Sequence, residues 1–368
     1  MIHHVSVRLT VAALGVTTVL GVAATPALAV PPADSRVQVL AAAGSDTTQD
    51  VIAAVLGAYR DDASGNPDGD VTVNVPVRPA APLTVPADDS CAERTYVATG
   101  QQTPPTSYAA PSGSGAGKTA LADPANRTTA CIDVARSSSG PAASDPAEFE
   151  YYGYAKDAVS WAHFPGAAPA DLTLAQLRSV YACTVTNWNQ VGGQDATIIR
   201  YLPPAGSGTR SFFVSTVLGA EPVTTCGDIR TAAENDGTAV TAADRSTAIL
   251  PFSVAQWVAQ ANGASTDARA DILIGAIDAQ NPVSGPDSDG RYEPNTTAVN
   301  GTFPGARTVY NVLDTRLSSY PQALRVVGFD ATGPGYLCAG TTAVTALLKT
   351  YGFTPLTADE SGNTCTLS

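Results

Sequence analysis

The sequence predicts an α/β protein of two lobes. Strand-length apolar runs alternate with stripes at helical spacing along the chain. About 340 residues follow a leader segment, more than one hydrophobic core usually holds. No internal repeat suggests a solenoid instead.

Residues 1–29 hold one clear charge, Arg8, then an apolar run over 11–24 and small residues Ala27 and Ala29 in an A-x-A pattern. The run is too short to span a bilayer, so a secretory signal peptide cleaved after Ala29 is expected. Val30, not a cysteine, directly follows that site, so no lipid anchor is expected. The mature protein should be soluble and secreted.

The first expected strand covers 37–43, closed by Gly44-Ser45-Asp46-Thr47-Thr48. A helical stripe of Val51, Ile52, Val55, Leu56 and Tyr59 follows, with Thr47 and Asp50 at capping-box spacing. Residues 61–130 are rich in Pro, Ala, Gly, Ser and Asp. They carry one expected strand at 71–75 and surface loops at 79–86 and 101–111. Further strands are expected at 131–136, 154–161, 197–202, 248–252, 272–277 and 308–313. Helices are expected around Leu174–Tyr181, from 210 to a stop at Gly219, over 254–261, and around Val344, Leu347, Leu348 and Tyr351 before Gly352.

Composition narrows the function. The formal charge is −13, and −14 without Arg8, which argues against nucleic acid and anionic membranes as partners. His163 is the one histidine left after cleavage, which counts heavily against Ser-His-Asp triads, Cys-His dyads and His-ligated metals. No cofactor is expected. Cys91, Cys131, Cys183, Cys226, Cys338 and Cys365 are widely spaced, as in disulfides of an oxidising compartment. Nearest-neighbour pairing is expected, each pair closing a loop within one region of the chain.

Four places share one design, in which a strand ends, a Ser/Thr/Gly turn follows and a helix is expected to start: 44–48, 113–119, 137–140 and 206–209. Unpaired N–H groups at a helix start attract oxyanions, hydroxyls add donors, and glycine lets the backbone come close. Any one such turn is ordinarily plain capping. Four of them at the carboxyl ends of strands form a candidate anion cradle.

The ordered set Gly44-Ser45-Asp46-Thr47, Gly113-Ser114-Gly115-Ala116-Gly117-Lys118, Ala135-Arg136-Ser137-Ser138 and Arg200 followed by Ser207-Gly208-Thr209 resembles the phosphate-binding proteins of bacterial uptake systems. Leu172-Thr173, Leu177 and Thr186-Asn187-Trp188-Asn189 resemble the same family, as does Tyr351-Gly352-Phe353-Thr354-Pro355-Leu356. The resemblance covers most of residues 37–356, with poor matches at 61–110 and 220–305. It implies a type II periplasmic-binding-protein fold, with a ligand cleft between lobes and a hinge of two crossing strands at 154–161 and 308–314. Lobe one would comprise 36–155 and 310–368, and lobe two 156–309. It further implies a monomer that captures inorganic phosphate for an ABC-transporter permease. The phosphate ligands carried over are Ser45, Asp46, Thr47, Ser114, Ser137, Ser138, Arg200, Ser207, Gly208 and Thr209.

Two departures bear on selectivity. Ser138 stands where the family has an aspartate that accepts a phosphate hydrogen, leaving Asp46 as the acceptor. The loop from Arg200 to Ser207 is longer than usual, so Arg210 or Arg136 are alternative counter-cations. Ser112–Thr119 nearly spells a nucleotide-binding loop but lacks its first glycine. Asp287-Ser288-Asp289-Gly290 and Asn66-Pro67-Asp68-Gly69-Asp70 lack full calcium-loop spacing and read as turns. The remaining rivals are another oxyanion as ligand, a hydrolase using Ser137 or Ser207, and a wall-associated structural protein with a degenerate site.

Overall fold

The computed structural model describes residues 38–78, 82–87, 91–98, 107–127 and 131–368. The expected signal peptide, and parts of the loops at 79–86 and 101–111, lie outside them.

One mixed sheet organises the molecule. Its neighbours run, in order, Arg230–Thr231, Ile199–Leu202, Ala248–Ser253, Phe149–His163, Ala306–Asp314, Val134–Ser137, Val39–Gly44 and Val71–Asn74. At one end Val39–Gly44 pairs in parallel with both of its neighbours. At the other, Ile199–Leu202 pairs in parallel with Arg230–Thr231 and Ala248–Ser253. Between them the Ala306–Asp314 strand runs antiparallel to Phe149–His163, with a register shift between Val309 and Tyr310. Thr354–Pro355 and Thr366–Leu367 add on the same long strand, so the chain terminus folds back to the centre.

The long strand feeds different cores along its length. Val159 and Trp161 join a cluster with Leu177, Trp188, Phe213 and Phe252. Tyr152 and Tyr154 join a second, with Val51, Leu56, Leu324 and Phe353, while Phe149 and Tyr151 join a third, with Val73, Ile132 and Leu317. Helix Gln49–Asp61 buries the stripe of Val51, Ile52, Val55, Leu56 and Tyr59. Each such side chain contributes about 1.5–3 kcal/mol by leaving water.

Most expected elements are present, with changed bounds. The strand expected at 154–161 is one 15-residue strand, Phe149–His163. The one expected at 272–277 is split into Leu273–Ile274 and Ala276–Ile277. Helix Tyr320–Val327 lacks an obvious sequence signal because Pro321 interrupts the run, yet proline is tolerated in a first turn where its missing N–H has no intrahelical partner. Cysteines pair as 91–131, 183–226 and 338–365, the expected nearest-neighbour connectivity. No helix among the described residues is long and apolar enough to cross a membrane. His163 and Trp188 are buried packing residues, the imidazole stacking on Trp161 with ring centroids 5.1 Å apart.

The two long strands are clamped by charge. Arg307 and Asp157 are register partners, and their side chains form a salt bridge of 2.7 Å with both groups essentially dry. Asp157 also accepts from the Ser253 hydroxyl at 3.0 Å and the Ala255 amide at 3.0 Å. Removing one partner strands a buried charge. Asp157→Ala should therefore lower stability by about 3–5 kcal/mol in denaturant unfolding, and Asp157→Leu with Arg307→Met should recover most of it. A loss below about 1 kcal/mol for the single variant would contradict this role.

Candidate functional site

The site is built where strands end. Val39–Gly44 stops at Gly44, whose φ is +119° and whose absent Cβ would lie 2.6 Å from the Arg136 carbonyl oxygen. Only glycine accommodates both the left-handed backbone and that approach. The next amide, Ser45 N–H, donates to the Arg136 carbonyl at 2.9 Å, and the Ser45 carbonyl accepts from Arg136 Nε at 3.1 Å. Arg136 is fully buried. Its remaining donors go to the Ala42 carbonyl at 2.7 Å, Asn74 Oδ1 at 2.7 Å and the Val75 carbonyl at 3.2 Å. Burial lowers its pKa to about 10. This arginine is a brace for the Ser45 turn, with its guanidinium spent on the protein's own oxygens.

Thr47 does not cap the following helix as its spacing suggested. Thr48 occupies the N-cap, without a side-chain cap bond. The Thr47 hydroxyl instead lies 3.2 Å from that of Thr209 and donates to Glu234 Oε1 at 3.2 Å. Ser207, which caps the Gly208–Phe212 helix by accepting from the Arg210 amide, donates its hydroxyl to the same Glu234 oxygen at 2.8 Å. Gln256 Nε2 holds the Thr47 carbonyl at 2.6 Å. Thr47, Ser207, Thr209 and Glu234, distant in sequence, thus form one buried hydroxyl–carboxylate group.

A second group adjoins it. The Ser138 amide donates to Ser114 Oγ at 2.9 Å, and the two hydroxyls are 3.3 Å apart. Gly208 packs directly on both: a Cβ there would lie 2.3 Å from Ser114 Oγ and 2.7 Å from Ser138 Oγ. The Gly115 amide donates to the Gly206 carbonyl at 3.3 Å, so the second and fourth turns meet. Arg307 reaches this group from the long strands, donating to the Ser138 carbonyl at 3.0 Å.

The structure therefore brings Thr47, Ser114, Ser138, Ser207, Gly208 and Thr209 together. Three other expected ligands are placed differently. Ser137 turns back into its own loop, donating to the Ser139 carbonyl at 2.7 Å. No helix starts after it, so the third turn supplies no helix amides. Arg200 is buried in its strand and gives its guanidinium to carbonyls of Tyr181, Val223 and Gly227. Arg210 donates to the Pro203 carbonyl at 3.0 Å. Ser45 is buried with no partner for its hydroxyl. Two residues of the site were missed from sequence. Glu234 sits in a polar stretch without motif, and Arg307 reads as an ordinary strand residue.

Asp46 completes the acidic character. Its pKa is raised from 3.8 to about 7, first by burial, then by the Glu234 charge, with Arg78 opposing and a hydrogen bond to Glu234 adding. Asp46 therefore keeps its proton up to about pH 7.

Comparison with known proteins identifies the family. The model of the PBP superfamily domain matches residues 29–324. The chain belongs to the PBP superfamily. Two solved PBP-type structures align over nearly their full length. A Clostridium perfringens protein assigned as the substrate-binding component of a phosphate ABC transporter, with bound phosphate, has a TM-score of 0.57 at 15% identity; the match covers 87% of this chain and 100% of that one. An ABC-type phosphate transport receptor from Vibrio cholerae has a TM-score of 0.51 at 17% identity, with 86% and 99% covered. At such identities the likeness is one of fold, the mixed α/β fold of type II periplasmic binding proteins. No curated protein sequence matches. The PBP superfamily is one of binding proteins.

The raised Asp46 pKa has a consequence for stability. The folded chain keeps this proton where the unfolded chain has lost it, so the contribution is full below the ordinary carboxylate range and is lost as pH rises through about 7. Asp46→Asn should flatten the fall in stability between about pH 4 and pH 7 and raise stability at neutrality by on the order of 1 kcal/mol. Denaturant midpoints across that range measure it, and parallel profiles for the two proteins would contradict it.

Proposed function

We propose that this protein is an extracellular substrate-binding protein that captures inorganic phosphate in a cleft between two lobes, for delivery to an ABC-transporter permease. In this reading lobe one comprises residues 36–155 and 310–368, and lobe two residues 156–309. The crossing strands Phe149–His163 and Ala306–Asp314 form the hinge. The observation that carries the proposal is the meeting of Thr47 with Thr209, Ser207 and Glu234 within hydrogen-bond reach. Thr47 belongs to the turn after one strand, and Ser207 and Thr209 to the turn after another across the sheet. Hydroxyl donors and a carboxylate acceptor in one dry place suit an oxyanion that itself carries hydrogen. Sulfate, unprotonated at neutral pH, would meet the carboxylates without a compensating hydrogen bond. Three disulfides fit the oxidising compartment in which such capture takes place.

A second reading, a structural relative that keeps the fold with a degenerate site, is favoured by one observation. Arg200, the cation expected to neutralise the ligand, is committed to backbone carbonyls.

Calorimetric titration of anion-stripped, oxidised protein with phosphate, beside a parallel sulfate titration, separates the readings. One-to-one binding of phosphate in preference to sulfate is expected. Thr47→Val should weaken it about 10- to 100-fold, the worth of a hydrogen bond to a charged group. Absence of heat with either anion, from folded and ligand-free protein, would sink the phosphate reading and leave the degenerate site.

A further inference from the structure

A cavity of about 330 Å³ lies against the two long strands, and none of the hydroxyl-cluster residues lines it. Its walls include Lys156, Gly301, Thr302, Phe303 and Thr308, and they hold no carboxylate. Lys156 and Thr308 are register partners, and the next pair along is Asp157 with Arg307. Side chains alternate along a strand, so the lysine and threonine project from the face opposite the buried ion pair. Arg307 also borders the cavity, but its guanidinium serves Asp157 and the Ser138 carbonyl.

The donors around this space are unspent. Lys156 is half-buried, and among the described residues its ammonium has neither an ion pair nor a hydrogen bond. The carboxylate next to it in the chain, Asp157, is committed to Arg307, Ser253 and the Ala255 amide. The Thr302 and Thr308 hydroxyls bond to no described residue. The successive amides of Thr302 and Phe303 also reach no acceptor there, although Phe303 is only 3% exposed. Buried amides ordinarily find an acceptor. On the other flank of Lys156 its register partner Thr354 has a buried hydroxyl without a partner.

We propose that this cavity is a second anion site, separate from the turns, which takes a small, fully ionised oxyanion such as sulfate or a short carboxylate. An ammonium, two hydroxyls and two successive amides, with no carboxylate opposing them, make a place for negative charge. The ligand needs no hydrogen of its own there, in contrast to one beside Glu234. A lysine is a point charge with rotatable donors, so tetrahedral and planar oxyanions are both accommodated. The half-buried setting leaves the charge partly in water, so this site is weaker than a dry cleft and sensitive to salt. An anion bound here bridges the segment Gly301–Phe303 to both long strands, directly behind the Arg307–Asp157 pair. The site stands on the cavity and its donors, whatever the turns capture.

Amide NMR of the deuterated, oxidised protein tests this, with sodium sulfate and sodium acetate titrated separately against sodium chloride of equal ionic strength. Saturable shifts of the Thr302 and Phe303 amides are expected with sulfate, acetate or both, and the anion that produces them names the ligand's source. Lys156→Gln, at a half-buried position, should weaken that binding about tenfold, the worth of a hydrogen bond to a charged group. Shifts in the wild type that are absent, that fail to saturate, or that chloride reproduces would overturn the site, whether or not the variant folds. A folded Lys156→Gln protein with an undiminished response would overturn it equally. Shifts confined to Thr47 and Thr209 would assign the anion to the turns and overturn the second site, leaving the capture reading standing.

Discussion

The Arg307–Asp157 ion pair is the constraint on which the remaining geometry hangs. Its two residues are register partners on the two long neighbouring strands in the middle of the sheet. From Asp157 the hydrogen bonds pass to Ser253 and Ala255, fixing the start of helix Val254–Ala261. That helix carries Gln256, which grips the Thr47 carbonyl, and Thr47 in turn bonds Glu234. From Arg307 the other donor passes to the Ser138 carbonyl. Two charges taken out of water are costly unless their remaining donors and acceptors are filled, and here they are filled by the backbone and side chains of the turns. The pair therefore positions both hydroxyl groups of the site without touching either group's hydroxyl oxygens.

The electrostatics of the site follow from what its arginines do. Arg136, Arg200 and Arg210 all donate to carbonyl oxygens, so they hold loops instead of facing outward. The cluster is left with hydroxyls and two carboxyls inside a chain of formal charge −13. Such a site gains little from long-range attraction of anions, and its recognition has to come from short hydrogen bonds in a dry space. The raised pKa of Asp46 follows from the same setting, through burial first and the Glu234 charge second.

What was legible in the sequence was local. The strand endings and the turns at Ser45, Ser114 and Ser207 follow from periodicity and small-residue composition, and the disulfides followed chain proximity. The use made of each turn was not legible, because it is set by distant approach. Thr47 has capping-box spacing, yet its hydroxyl is drawn to Thr209 and Glu234, which arrive from the far side of the sheet. Ser137 and Ser138 are adjacent and look equivalent, but one bonds inward to Ser139 and the other meets Ser114. Glu234 and Arg307 carry no motif, and their roles exist only once the sheet has assembled. Arg200 carried a motif expectation, but its strand position aims it at the carbonyls around the Cys183–Cys226 disulfide region.

The most direct test of the account is a crystal structure of the protein equilibrated with phosphate at mildly acidic pH. One phosphate should lie between the turns, with oxygens within about 3 Å of Ser45 Oγ, Thr47 Oγ1 and the carboxyls of Asp46 and Glu234. A structure in which Glu234 still holds Thr47 and Ser207, with phosphate elsewhere or nowhere, would contradict it.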